Sequence, residues 1–431
     1  MIYILLIIFL LIIYKIFEYS VRLEGTVKVL LLFSLFAFVY YMAIPIEFTI
    51  KGTSIGAYGL VISERVKQIV ISIGILAIVG FAAGYLISSY NFNITKLSID
   101  IFDPIVLSVA VLAIVSGIML FGVFYDSILN SISSYAGNFT ETYVNPVYAY
   151  LKEIFTYSLA ILIVFLTNAK GNMKLLALLP TAALIVFGLI SSDKDPILLS
   201  VLGWGILFFF KLSQIHLIEK IRTYFLILVL GSIIIPAFSL AFSMYRADAL
   251  DETFKQVKKN GLYTYFDAAG PFESLVDVIG DPNTEFEYGK TYYWSLIGWI
   301  PKSIWPNRPL DLATSYAKEK IKNWQPGYGL GYSLLTEAYK NFGIPGALLQ
   351  YFMIGIMLGL LGKLSFWLFK NKLESKYIFF IWLSYNLAIM HRGPLNLPSS
   401  FIRFILPFLL CYWSLWTLLK LYNRWRVKRI N

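Results

Sequence analysis

The sequence predicts an all-α polytopic membrane protein with about eleven transmembrane helices and one large, structured loop on one side. Three observations lead there. Of 431 residues, 58% are hydrophobic and 14% charged, whereas soluble domains sit nearer half apolar and a quarter charged. The apolar residues arrive in runs of spanning length, roughly 20 residues each. The longest polar stretch, Arg246–Phe342, carries Trp294, Trp299, Trp305 and Trp324 and many tyrosines, while disordered segments are poor in aromatics.

In chain order the candidate spans are Ile2–Phe17, Val27–Ile46, Ile69–Tyr90, Pro104–Tyr125, Tyr148–Thr167, Leu175–Ser191, Ile197–Leu212 and Tyr224–Tyr245. After the polar segment come Ile344–Phe369, Lys376–Met390 and Ile402–Leu421. Ile2–Phe17 lacks the basic flank and small-residue cleavage site of a signal peptide, so it reads as a span. The chain divides into 1–245 (helices one to eight), 246–342 (the outer loop) and 343–431 (the last three helices and a basic tail). There is no internal repeat.

Basic residues set the orientation. Alternate loops and the tail collect them: Lys15, Arg22 and Lys28, then Lys211, Lys220 and Arg222, then Lys363, Lys370, Lys372 and Lys376, and finally Lys420 to Arg429. The short loops opposite hold fewer, among them Lys51, Arg65 and Lys152. The positive-inside rule makes the richer side cytoplasmic and points 246–342 outward. The net charge of +11 then reflects cytoplasmic loops and an anionic partner at the membrane rather than nucleic acid.

Cys411 is the single cysteine, and His216 and His391 are the only histidines. No disulfide can form within the chain, and no cluster has metal-ligand spacing. Walker, nucleophile-elbow and zincin motifs are missing, so ATP-driven, serine-hydrolase and zinc chemistry find no support.

Within the outer segment, "GWIPKSIWPNRP" (Gly298–Pro309) sets Trp305 before Pro306 and Arg308 before Pro309, which pushes both into extended backbone. A rigid loop holding Lys302 and Arg308 suits an anion, because Arg grips phosphate bidentately and Lys adds a point charge. The same residues suit an interfacial anchoring belt. Asp311 before "LATSYAKEKIKNW" predicts a capped, amphipathic surface helix, and "QPGYGLGYS" (Gln325–Ser333) a glycine-rich turn. "MHRGPLNLPSSFIR" (Met390–Arg403) places His391, Arg392 and Arg403 at the ends of two spans, and Arg246 ends the eighth. Each of these can bind substrate or snorkel. Glu273 follows "AAGPF", and Glu337 sits in "GYSLLTEAYKNFGIPG" (Gly331–Gly346). A partly desolvated carboxylate there suits a general base, and an ion pair with Lys340 or a nearby Arg is the alternative.

The ordered set "GKTYYWSLIGWIPKSIWPNRP", "GYGLGYSLLTEAYKNFGIPG" and Arg392–Gly393 resembles the oligosaccharide repeat-unit polymerases, the O-antigen polymerase (Wzy-type) family. Many short spans before a large outer loop agree with it. The resemblance implies a GT-C-like glycosyltransferase architecture, a multi-pass cell-membrane location and an extracytoplasmic active site. It implies no cofactor and no metal. The reaction implied is transfer of a growing glycan from polyprenyl diphosphate to a sugar hydroxyl of a new lipid-linked unit. Arg308, Arg392, Lys302, Arg246 and Arg403 would hold the diphosphate and Trp305 a sugar face. Glu337, then Glu273, then His391 would take the proton. Membrane lipids, a chain-length regulator and a flippase are the implied partners. A glycan ligase shares this chemistry. A lipid-linked oligosaccharide flippase would need charges within several spans and repeat symmetry, which the sequence does not show.

Overall fold

The computed structural model describes residues 2–22, 33–34, 36–37, 39–51, 62–91, 105–132, 145–168, 171–190, 269–300, 304–324, 330–371, 376–391, 393–395 and 397–430. At its centre two long helices, α3 (Glu64–Asn91) and α11 (Leu334–Lys370), lie directly against one another. The sequence explains how. α3 carries Gly80 and Gly84 in "GFAAG", and α11 carries Gly355 and Gly359 in "GIMLG". A Cβ on Gly84 would run into the Phe352 carbonyl, and one on Gly355 into the Phe81 carbonyl. Small residues four apart let two backbones meet this closely, the usual device where lipid leaves no hydrophobic drive between helices.

Before this pair come α1 (Ile2–Arg22) and α2 (Ile44–Lys51), the latter continuing a π-helical turn at Val39–Ala43. Pro45 has no N–H to give Tyr41, which breaks the α-ladder there. α4 (Ile105–Val123), α5 (Tyr125–Ile132), α6 (Pro146–Thr167) and α7 (Leu178–Ile190) follow. α6 starts as its sequence dictates, with Pro146 in the first turn and the Asn145 side chain accepting from Tyr148 N at 3.3 Å. Its Phe155 meets Phe187 of α7 edge to face, 5.2 Å between ring centres.

The 246–342 segment contributes α8 (Ala269–Gly280), α9 (Lys290–Ile297) and α10 (Leu312–Lys320). Beyond α11 lie α12 (Lys376–Ile389), α13 (Leu397–Ser400), a π-helical turn at Phe401–Ile405 and α14 (Leu406–Ile430). All regular elements among the described residues are helical. Five helices among them are long and apolar enough to span a membrane, at Glu64–Ser88, Val106–Val123, Pro146–Thr167, Leu334–Leu364 and Phe401–Tyr422. The expected spans Ile197–Leu212 and Tyr224–Tyr245 lie outside the described residues.

Three expectations change in detail. Leu175–Ser191 opens as a 3-10 turn, Gly171–Ala177, before α7. The surface helix after Asp311 stops at Lys320, where Ile321 turns extended and Trp324 folds back to within 5.8 Å of Lys318 Nζ. Its cap is as expected, Asp311 accepting from Thr314 N at 2.9 Å. The ninth span, expected from Ile344, belongs to a helix that begins at Leu334 and breaks at Phe342–Gly343, with Gly343 at φ 64°. Pro345 cannot donate to Asn341 O, so carbonyls are released at the break.

Gly84→Val should force α3 and α11 apart at a cost of about 1–3 kcal/mol, typical of overpacking. Thermal unfolding in detergent measures this. Gly122→Ala, with nothing within 4 Å of its Cβ among the described residues, should leave the midpoint nearly unchanged.

Candidate functional site

The broken end of α11 organises the polar segment before it. Its released carbonyls, Lys340 O and Asn341 O, accept from Glu287 N at 2.9 Å and Tyr288 N at 3.2 Å. The next N–H, of Gly289, donates to Asn341 Oδ1 at 2.8 Å. Three consecutive N–H groups can bond this way because Tyr288 and Gly289 turn left-handed, at φ 44° and 89°. Gly289 then starts α9, fixing that helix over the first turns of α11.

Between α9, the 305–312 loop and the 393–403 segment lies a cleft of about 290 Å³. Thr291, Trp294 and Gly298 form one wall, Trp305, Arg308 and Asp311 a second, and Gly393, Leu395, Ser399 and Arg403 a third. The proline-braced loop is positioned by its own arginine. Arg308 N donates to Trp305 O at 3.1 Å, while its guanidinium NH1 donates to Gly298 O and, at 2.9 Å, to Ile300 O. Arg403 sits in the π-helical turn, where Pro407 has no N–H to give Arg403 O and Leu406 N reaches back to Phe401 O instead. Its NH1 lies 3.5 Å from Glu153 and its guanidinium 5.6 Å from the Tyr150 ring centre, both on α6. Trp382 Nε1 donates to Ser400 Oγ at 3.2 Å, and Ser400 Oγ donates to Asn386 Oδ1 at 3.0 Å, tying this wall to α12.

Glu337 is fully buried beneath the cleft. Its Oε1 accepts from the Thr291 hydroxyl at 2.8 Å and its Oε2 from Leu395 N at 2.6 Å. Both donors line the cleft, so one carboxylate of α11 fastens two walls from below. The alternative partners, Lys340 or an arginine, are not what these oxygens meet. Asn341 Nδ2 completes the group, donating to Thr291 Oγ1 at 2.6 Å and Glu337 O at 2.9 Å.

The other expected residues fall elsewhere. Glu273 is buried in α8 beside Phe272 and Leu275, and it does not line the cleft. His391 is also fully buried, among Phe33, Phe36, Tyr40 and Tyr41, with Nδ1 3.2 Å from Tyr41 Oη. Burial pushes its pKa down to about 3. His391, like Glu273, does not line the cleft. Lys302, Arg392 and Arg246 lie outside the described residues. Sequence reasoning passed over Thr291, Asn341 and the Leu395 N–H. Thr291 stood inside "GKTYYW", but only the fold shows that it meets Glu337.

A second polar cluster holds α10 in place. Tyr316 Oη donates to Asp277 at 3.1 Å, and Lys320 Nζ lies 2.7 Å from the same oxygen. Burial first, and Asp277 second, raise the Tyr316 pKa, so its hydroxyl stays a donor.

A bundle of membrane-length helices, with a cleft lined by Arg308, Arg403, Trp294 and Trp305, defines a multi-pass membrane protein. The model of the O-antigen polysaccharide polymerase Wzy family matches residues 1–423, and the chain belongs to that family. No curated protein and no solved structure gives a significant match. Membership makes the chain a glycosyltransferase-type polymerase of polysaccharide biosynthesis, acting in membranes on lipid-linked oligosaccharide repeat units.

His391 makes a pH prediction. Its folded pKa is depressed to about 3, while an unfolded imidazole titrates near 6.5. The unfolded state therefore binds the extra proton, and stability should fall as pH drops from about 6.5 towards 3. Thermal unfolding across that window should show a shallower loss in His391→Gln than in the native protein.

Proposed function

We propose that this protein polymerises polyprenyl-diphosphate-linked oligosaccharide repeat units at the outer face of the cell membrane, with the cleft as its reaction site. The observation that carries this reading is the convergence of Arg308, Arg403 and Trp305 on one cleft. The donor brings its own diphosphate leaving group, so charge develops on phosphate oxygens as the glycosyl bond breaks. Guanidinium groups held in place beside that charge stabilise it without reorganising, which supports a metal-independent transfer. Trp305 and Trp294 offer flat apolar faces to sugar rings. Lys302, Arg392 and Arg246 belong to the same reading as further cations, Arg392 adjoining the cleft residue Gly393 in sequence. Glu337 is the proton acceptor, reached through the cleft floor; Glu273 and His391 are structural in this reading. The rest of the proposal is about eleven spans, a GT-C-like arrangement, an outward-facing 246–342 segment, and membrane lipids, a chain-length regulator and a flippase as partners.

Purified protein supplied with a defined lipid-linked repeat unit should give a ladder of products. A single transfer to a foreign acceptor would instead mean a ligase. Arg308→Ala and Arg403→Ala should each slow the ladder by about 10²–10³-fold, as loss of an oxyanion donor does, and Lys at either position should restore it only in part. Normal ladders from both alanine variants would remove the cleft from the mechanism.

Orientation has its own test. In a Cys411→Ser background, a cysteine at Glu319, which is 70% exposed, should react with an impermeant thiol reagent in intact cells. One at Lys372 should not. The reverse pattern would invert the topology.

A further inference from the structure

Glu337 cannot touch a substrate in the cleft, because it is fully buried and both its oxygens are occupied from the cleft side. We propose that the Thr291 hydroxyl is a catalytic proton relay, passing the acceptor sugar's proton from the cleft to Glu337. This rests on the polymerase reading and on Glu337 as the final proton acceptor.

The hydrogen-bond directions are fixed by the surroundings. Gly289 N can only donate, so Asn341 must present Oδ1 to it and turn Nδ2 the other way. Nδ2 therefore donates to Thr291 Oγ1 and to the Glu337 carbonyl. With its oxygen accepting from Asn341, the Thr291 hydroxyl must aim its proton at Glu337 Oε1, 2.8 Å away. A hydroxyl has one proton and two acceptor lone pairs. The proton and one lone pair are assigned, and among the described residues no further hydrogen bond to this side chain is present. Thr291 lines the cleft while only 2% exposed, so its second lone pair is the group that an incoming sugar hydroxyl can meet with bulk water excluded.

The step balances. The acceptor hydroxyl oxygen forms a bond to the donor's anomeric carbon. The bond from that carbon to the diphosphate breaks, and its electron pair leaves with the polyprenyl diphosphate. The hydroxyl proton moves to Thr291 Oγ1 as the proton of Thr291 moves to Glu337. Thr291 ends unchanged, Glu337 ends protonated, and release of that proton along the same path resets the site.

The relay predicts that Thr291→Val, which keeps shape and loses the hydroxyl, lowers kcat by about 10²–10⁴-fold, the usual worth of a positioned acid–base group. Binding of the lipid-linked unit should stay within about threefold, a difference of well under 1.4 kcal/mol. Thr291→Ser should restore turnover, because the hydroxyl returns. In the native enzyme, rate plotted against deuterium fraction should bow downward, since two protons move together. Glu337→Gln should abolish turnover and keep binding. If Glu337→Gln is inactive while Thr291→Val polymerises normally, the relay is wrong and the Glu337 assignment stands. If Glu337→Gln polymerises normally, the base assignment itself fails. A straight isotope plot from a native enzyme limited by chemistry overturns the relay even if the valine variant does not fold.

Discussion

One buried carboxylate holds the cleft-bearing end of this protein together. Glu337 is supplied by the membrane-length helix α11 and accepts hydrogen bonds from the Thr291 hydroxyl of α9 and from Leu395 N in the 390s loop. Two elements far apart in sequence therefore meet on a single side chain, and the space between them is the cleft. Removing one such donor from a buried acceptor costs about 1–3 kcal/mol. The two bonds together are thus strong enough to fix the resting geometry. The break at Phe342–Gly343 is its precondition. An uninterrupted helix would keep the Lys340 and Asn341 carbonyls for itself, and the 287–289 turn that starts α9 would lose its seat.

The arginines follow the same logic of fixed position. Arg308 is held by the turn it closes, and Arg403 by a π-helical turn, Glu153 and the Tyr150 ring. A cation that is already oriented stabilises developing negative charge better than one that must move. Prolines contribute at both positions: Pro306 and Pro309 stiffen the loop of Arg308, and Pro407 opens the helical ladder at Arg403. Further along α11, the glycine seam fixes that helix closely against α3.

Much of this was legible in the sequence. Hydropathy gave the helical membrane class. The cap at Asp311 followed from local chemistry, since caps depend on residues a few positions apart; the α6 span, expected from Tyr148, starts two residues earlier at Pro146. Of the six substrate-binding candidates that the sequence offered, Arg308, Trp305 and Arg403 line one cleft, while Lys302, Arg392 and Arg246 lie outside the described residues. What could not be read was depth and direction. His391 and Glu337 look alike as polar residues beside spans, yet one is sealed in an aromatic cage and the other underlies the cleft. Periodicity does not tell which side of a helix break a residue serves. Thr291 was invisible for the same reason, because threonine is common and its meaning here comes from contacts with residues 46 and 50 positions away.

The most direct test of the account is the structure of the protein with a polyprenyl-diphosphate-linked repeat unit bound. The diphosphate should lie within hydrogen-bonding distance of the Arg308 and Arg403 guanidinium groups, with a sugar ring against Trp305. A diphosphate bound outside this cleft, with neither arginine in contact, would contradict it.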